Sequence, residues 1–265
     1  MTVELASRKL VCDEPAAGVA RLRISNEEKR GALDHEILDA LAETVRALDV
    51  RCLLITGTGT VFSAGYDLGN LEGTEFEERA ETLVAHPFHA AIEALEDYEY
   101  PVIAALNGHA IGGGLELALT CDIRLAAAGT RFAMPPAKLG LIYSHTGLCR
   151  FVEACGAANT AELFYVGRAV ESERAREMGL VNQVVKPGEL EEYALKMASE
   201  IASNAPISLA GNKRIVRELR AQGRALPEDL QRELVALRQS CFGTDDFREG
   251  VRAFSEKRAP RWRGS

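Results

Sequence analysis

The chain has 265 residues, of which 47% are hydrophobic and 26% charged, which is enough apolar material for a sizeable buried core. Its formal net charge of −8 provides no attraction to nucleic acids or to anionic membrane surfaces. The N-terminus "MTVELASRKLVCDEP" lacks the apolar centre of a signal peptide, and no run of about 18 apolar residues occurs, so we expect a cytoplasmic protein without a membrane partner.

Six cysteines are scattered without a CxxC pair, which is typical of reduced thiols. His86 and His89 lie three residues apart, but Pro87 interrupts the backbone between them and no third ligand is nearby in the sequence. We therefore predict no metal site.

In the first half of the chain, strand and helix patterns alternate. Short apolar or alternating segments predict strands at 18–24, 52–57 and 101–106. Asp34 is placed to cap a helix whose apolar residues recur at helical spacing. This βαβ order predicts an α/β fold with a largely parallel sheet.

A second helix is expected between the last two of these strands. Thr74 and Glu77 form a capping box, and the helical pattern continues towards Tyr98, with a bend or break expected at Pro87.

The chain becomes helical after Gly156, with one candidate strand at 181–185. The amphipathic segments are 157–167, 171–180, 188–204, 206–222 and 227–240. We divide the chain into a core of residues 1–200 and a C-terminal helical region of residues 201–265, with a gradual boundary.

A glycine run, "NGHAIGGGLELALT", directly follows the strand at 101–106. Consecutive glycines let backbone N–H groups approach a negative group at a helix N-terminus. A dinucleotide pyrophosphate fits poorly, because Ala110 replaces a fingerprint glycine and the charge of Glu116 would repel it. A transient oxyanion beside a carboxylate that acts as acid or base fits better.

Glu116 lies among apolar residues, so we expect it on a helix with little surrounding water. It is either a functional carboxylate or a structural one that caps its own helix or pairs with a core arginine. A second glycine turn, at Gly65 and Tyr66, follows the strand at 52–57. Two N–H groups from separate loops can then meet at the carboxyl ends of parallel strands.

Five segments together resemble the enoyl-CoA hydratase/isomerase superfamily, which has the crotonase fold, and the likeness spans essentially the whole chain. They are "EEKRGALDHEIL", "FSAGYDL", "PVIAALNGHAIGGGLELALTCDIRLA", "AREMGLVNQVV" and "DDFREGVRAFSEKRAPRW". The resemblance implies a spiral of ββα units, C-terminal helical trimerisation, and coenzyme A (CoA) thioesters as substrates. It also implies a homotrimer or a dimer of trimers, and no cofactor beyond the CoA moiety of the substrate.

By position, the resemblance assigns the oxyanion hole to the N–H groups of Tyr66 and Gly113. The remaining matched residues belong to CoA binding. They are the early basic segment with Lys29, Arg30 and Ala32, the adenine-binding turn with Ala64, Gly65, Asp67 and Leu68, and the C-terminal pair Phe254 and Lys257, which sometimes serves a neighbouring subunit.

Glu116 matches the first catalytic glutamate of the hydratases, but Pro136 stands where the second should be. Hydration divides its proton transfers between two carboxylates, and a proline performs neither. The segment "KLGLIYSHTGL" is more similar to methylmalonyl-CoA decarboxylase-like members, which carry a tyrosine at the position of Tyr143. Tyr143 would then bind the departing carboxylate, with Glu116 supplying a proton and His145 as a further polar group.

Three functions remain open at this stage. The first, which we favour, is decarboxylation of a malonyl-type acyl-CoA. The second is hydration or isomerisation by Glu116, with Tyr143 or His145. The third is a non-catalytic CoA-binding paralogue, against which the retained Glu116 and glycine turns argue.

Overall fold

The structure is a computed structural model that describes residues 2–67, 87–222, 227–258 and 260–261. Leu68, His86 and the capping box of Thr74 and Glu77 lie outside these residues.

The described residues form eleven strands in two sheets. The strands are β1 (Val3–Leu5), β2 (Leu10–Ala16), β3 (Val19–Ile24), β4 (Cys52–Gly57), β5 (Val61–Ser63), β6 (Val102–Leu106), β7 (His109–Ile111), β8 (Ile123–Ala127), β9 (Arg131–Ala133), β10 (Val170–Glu171) and β11 (Gln183–Val185). The larger sheet has the order β1-β2-β3-β4-β6-β8-β11, and the smaller one has the order β10-β9-β7-β5. Strands β3, β4, β6, β8 and β11 are parallel, which confirms the largely parallel sheet.

Nine α-helices lie in the described parts of the chain. They are α1 (His35–Ala47), α2 (Pro87–Asp97), α3 (Gly113–Thr120), α4 (His145–Ala161), α5 (Ser172–Met178), α6 (Leu190–Ala202), α7 (Pro206–Gln222), α8 (Glu228–Phe242) and α9 (Asp245–Ser255). Short 3₁₀ segments occupy Ala6–Arg8, Glu27–Lys29, Pro136–Leu139 and Pro187–Glu189, and a π-helical segment occupies Glu162–Val166. No helix in the described ranges is long and apolar enough to cross a bilayer.

The chain repeats one unit: a strand in the larger sheet, a strand in the smaller sheet, then a helix. The pairs β4–β5, β6–β7 and β8–β9 follow this rule and lead to α2, α3 and α4. This confirms the expected spiral of ββα units. It also sets the ends of β5, β7 and β9 side by side, because these three strands pair in parallel.

The central strands β4 and β6 of the larger sheet are buried on both faces. Along β6, Val102, Ala104 and Leu106 join the core that contains α1, α2 and α3, whereas Ile103 and Ala105 join the core beneath α6. Alternate residues of a strand point to opposite faces, so both sets must be apolar, which explains the uninterrupted apolar run. Helix α6 packs on this sheet up to its end at Ala202, and the division at residue 200 stays a prediction.

The three predicted strands are confirmed, and the first helix begins where Asp34 accepts a hydrogen bond of 3.0 Å from the Ile37 N–H. The described part of the second helix runs from Pro87 to Asp97, and the bend or break expected at Pro87 involves residues outside the described ranges.

Segment 157–167 is helical as predicted: the backbone of α4 breaks at Gly156, whose φ of 75° and ψ of 161° are not helical, and the part after the break is α-helical to Ala161 and π-helical over Glu162–Val166. One prediction for the second half was wrong. The segment at 181–185 is not the only strand after Gly156, because β10 pairs antiparallel with β9. A two-residue edge strand depends on its partner and leaves no period in the sequence.

Candidate active site

Two glycine turns meet at the ends of β5 and β7. Gly65 has a φ of 89°, a left-handed conformation that favours glycine. A Cβ atom on Gly65 would lie 2.8 Å from the Ile111 carbonyl oxygen and 3.2 Å from the Gly113 nitrogen. The turn and the start of α3 are therefore in direct contact, as the positions of the strand ends predict.

The N–H groups expected to form the oxyanion hole lie at this junction. Gly113 is the first residue of α3, where a helical N–H has no partner within the helix and the macrodipole is positive. Leu33 pairs with the second turn through the Gly65 carbonyl oxygen (2.7 Å) and the Asp67 N–H (3.2 Å). The Tyr66 N–H between them points away from Leu33, and the Tyr66 ring packs over Gly113.

Glu116 lies in the first turn of α3 and is 3% exposed. The Tyr143 hydroxyl donates a hydrogen bond to its Oε2. The Arg150 guanidinium, on α4, donates to its Oε1 at 3.1 Å. Gly147 packs against both Tyr143 and Glu116, since a Cβ atom added at Gly147 would lie 2.5 Å from the Tyr143 ring and 3.0 Å from Glu116 Oε1.

Burial controls the ionisation of both acidic groups. It raises the pKa of Glu116 above the ordinary 4.5, against the opposing effects of the Arg150 charge and of the hydrogen bonds from Tyr143 and Arg150. It also raises the pKa of Tyr143, and the neighbouring Glu116 charge adds to the rise.

Arg150 and Glu96 are site residues that sequence reasoning missed. Arg150 is 5% exposed and donates to Glu96 of α2 at 3.0 Å as well as to Glu116. The structural role considered for Glu116, pairing with a core arginine, is therefore present together with the contact to Tyr143. A charged residue inside the apolar segment "GLCRFV" was the available signal, since buried arginines need carboxylate partners.

Pro136 is buried, opens a 3₁₀ turn and brings no titratable group to the site. Helix α9 packs directly against this turn, because a Cβ atom added at Gly250 would lie 2.3 Å from the Leu139 carbonyl oxygen. His145 is the first residue of α4 and is half-buried.

The early basic segment and the second glycine turn lie together. The Ala64 N–H donates to the Arg30 carbonyl oxygen at 3.1 Å, and Lys29 Nζ lies 2.5 Å from Asp67 Oδ2. Ala32 is buried beneath them. The structure thus brings together most of the residues assigned to CoA binding.

The C-terminal pair lies on the surface. Phe254, near the end of α9, is 64% exposed, and Lys257 follows it in a left-handed conformation with a φ of 54°. Their role in nucleotide binding stays a prediction.

Comparisons with known proteins agree with this geometry. The family model described as enoyl-CoA hydratase/isomerase matches residues 14–265. A putative enoyl-CoA hydratase of Thermus thermophilus is 34% identical over 253 residues, covering 92% of this chain and 97% of its own. A carnitinyl-CoA dehydratase of Salmonella typhi is 36% identical over 222 residues, covering 82% of each chain.

A solved structure of methylmalonyl-CoA decarboxylase in complex with 2-nitronate-propionyl-CoA superposes with a TM-score of 0.88 at 26% identity, covering 97% of this chain and 99% of that one. The chain therefore belongs to the enoyl-CoA hydratase/isomerase family, with the crotonase fold, and is an acyl-CoA enzyme.

Proposed function

We propose that this enzyme decarboxylates a malonyl-type acyl-CoA. The observation that carries the proposal is the contact between Tyr143 and Glu116, at a site where Pro136 replaces the second carboxylate of a hydratase. A phenol paired with one buried carboxyl group suits a reaction that needs a proton but no base.

The bond between the α-carbon and the carboxylate breaks, its electron pair moves into the thioester, and carbon dioxide leaves. The enolate oxygen accepts hydrogen bonds from the Tyr66 and Gly113 N–H groups, which strengthen as its charge grows. The α-carbon then takes a proton, which the Tyr143 and Glu116 pair supplies and solvent replaces. The likeness to methylmalonyl-CoA decarboxylase supports this assignment.

The test is mass spectrometry of the purified protein incubated separately with crotonyl-CoA, methylmalonyl-CoA and ethylmalonyl-CoA. Loss of carbon dioxide from a malonyl-type thioester is expected. Tyr143→Phe should then slow turnover by about 10²-fold or more, within the usual range for a lost acid–base group. Tyr165→Phe is the matched control, because that ring is 81% exposed.

Hydration or isomerisation is the second candidate, favoured by the hydratase and dehydratase names of the relatives. Rapid gain of water by crotonyl-CoA, abolished in Glu116→Gln, would establish it and refute decarboxylation. Saturable CoA binding without turnover of any thioester would instead identify a non-catalytic paralogue.

The proposal includes a homotrimer or a dimer of trimers. Four apolar side chains of α7 are exposed by 55% or more: Ile207, Ile215, Val216 and Leu219. Large apolar side chains exposed together on one helix are typical of an interaction surface, so a second copy covering them is expected. Sedimentation velocity tests this, and a monomer at micromolar concentration would refute it.

A further inference from the structure

A continuous chain of polar contacts runs from the surface to the candidate reaction site. Glu96 on α2 contacts Arg150 Nε at 3.0 Å, and Arg150 Nη1 contacts Glu116 Oε1 at 3.1 Å. The other oxygen of Glu116 contacts Tyr143. One guanidinium thus lies between two carboxyl groups that belong to different helices.

Among the described contacts, Arg150 is shared by the two carboxyl groups. If both were ionised, its one positive charge would be divided between them, and a carboxylate that is only partly neutralised is costly where little water is present. The Glu96 side chain is 23% exposed and the Glu116 side chain is 4% exposed. Ionisation therefore costs less at Glu96, and a proton added to the cluster belongs on Glu116.

We infer that Glu96 is a positioning residue that keeps Glu116 protonated by occupying the charge of Arg150. The inference rests on the proposed decarboxylation, because that reaction consumes a proton at the α-carbon. With its proton in place, Glu116 donates to the Tyr143 oxygen, and the phenolic hydrogen turns to the substrate. Glu116 then loses its proton through Tyr143, becomes a carboxylate beside Arg150, and recovers a proton from solvent.

The surroundings of Glu116 agree with this assignment. Among the described residues, Arg150 and Tyr143 face it from α4 and the segment before it, Glu96 acts from α2, and the Tyr66 ring lies beside Tyr143. Strand β7 carries His109, which is exposed and accepts a hydrogen bond from a backbone N–H of β9. Burial raises the pKa of Glu116, and the Glu96 charge raises it further.

The test is an infrared titration of the carboxyl stretch of Glu116 in the full-length protein, assigned by its absence in Glu116→Gln. In Glu96→Gln the midpoint should fall by about one pH unit or more, since Arg150 then neutralises Glu116 alone. Glu93→Gln, on the same helix, is the matched control, because Glu93 pairs with His89 at 3.0 Å. Glu96→Asp keeps the charge and should stay near the wild-type midpoint.

An unchanged midpoint in Glu96→Gln would overturn the inference, as would a wild-type Glu116 that titrates at or below the ordinary 4.5. The titration requires no turnover, so it is independent of the proposed reaction. A shifted midpoint in a protein that decarboxylates nothing would support the proton assignment and refute the reaction. Decarboxylation with an unshifted midpoint would refute only the role of Glu96. If the protein decarboxylates, the high-pH limb of its rate profile, where Glu116 loses the proton it must donate, should move with the midpoint.

Discussion

Replacing Gly65 by alanine tests whether the two glycine turns must touch. The new Cβ would lie 2.8 Å from the Ile111 carbonyl oxygen and 3.2 Å from the Gly113 nitrogen, and both contacts are to backbone. Neither neighbour can rotate away as a flexible side chain would. The turn and the start of α3 must therefore separate, which displaces the two N–H groups that would hold the enolate oxygen.

Two costs add at this position. An L-residue in the left-handed region costs about 1–2 kcal/mol, and forcing an extra carbon into a packed site costs about 1–3 kcal/mol. Gly59→Ala isolates the first cost, because Gly59 also has a positive φ of 67° but nothing lies within 4 Å of its Cβ position. The difference between the two variants is then the steric part alone.

The assays are urea unfolding and turnover of whichever thioester the mass spectrometry identifies. We expect Gly65→Ala to be less stable than Gly59→Ala by about 1–3 kcal/mol. Its kcat should be at least about tenfold lower, given that complete loss of one oxyanion donor costs about 10²–10³. Equal stability and equal turnover in the two variants would refute the convergence of the turns.

Three further predictions concern ionisation and buried hydrogen bonds. Tyr98→Phe removes a hydroxyl that donates to the Val50 carbonyl oxygen at 2.7 Å, so urea unfolding should show a loss of about 1–2 kcal/mol; an unchanged midpoint would contradict this. Burial raises the pKa of Cys52 and Cys121 to about 12, so iodoacetamide at neutral pH should label both only after unfolding, and rapid native labelling would disprove it. Burial raises the pKa of Glu116, so the native state binds this proton more tightly than the unfolded state does. The unfolding free energy of the wild-type protein, relative to that of Glu116→Gln, should therefore fall as pH rises from 4.5, and a rise with pH would contradict the prediction.

Structural features that are determined by neighbouring residues along the chain could be predicted from the sequence. Strand β4 is a short apolar run, and helix α1 has an apolar face at helical spacing and an N-cap residue. Each glycine turn follows the end of a strand, so the topology predicted that the two turns meet. Burial of Glu116 followed from its apolar neighbours. Each of these depends on a few adjacent residues.

Features that depend on tertiary pairing were not predictable. Arg150 and Glu96 are 54 residues apart, and residues 145–155 gave no helix prediction, so Arg150 could not be assigned to a face. The three-residue strands β5, β7 and β9 exist because they pair with one another, and their isolated sequences show too few residues for a period of two to be detected.

Pro136, which stands where the hydratases have their second glutamate, and Tyr143 are supported by different parts of this fold. Position 136 lies on a turn that α9 holds through the contact of Gly250 with Leu139, whereas Tyr143 precedes α4 and packs over Gly147. Because the supports are separate, one position can lose its carboxylate while the other keeps its geometry. A substitution at one of these positions can therefore leave the other side chain, and the junction of the two glycine turns, in place.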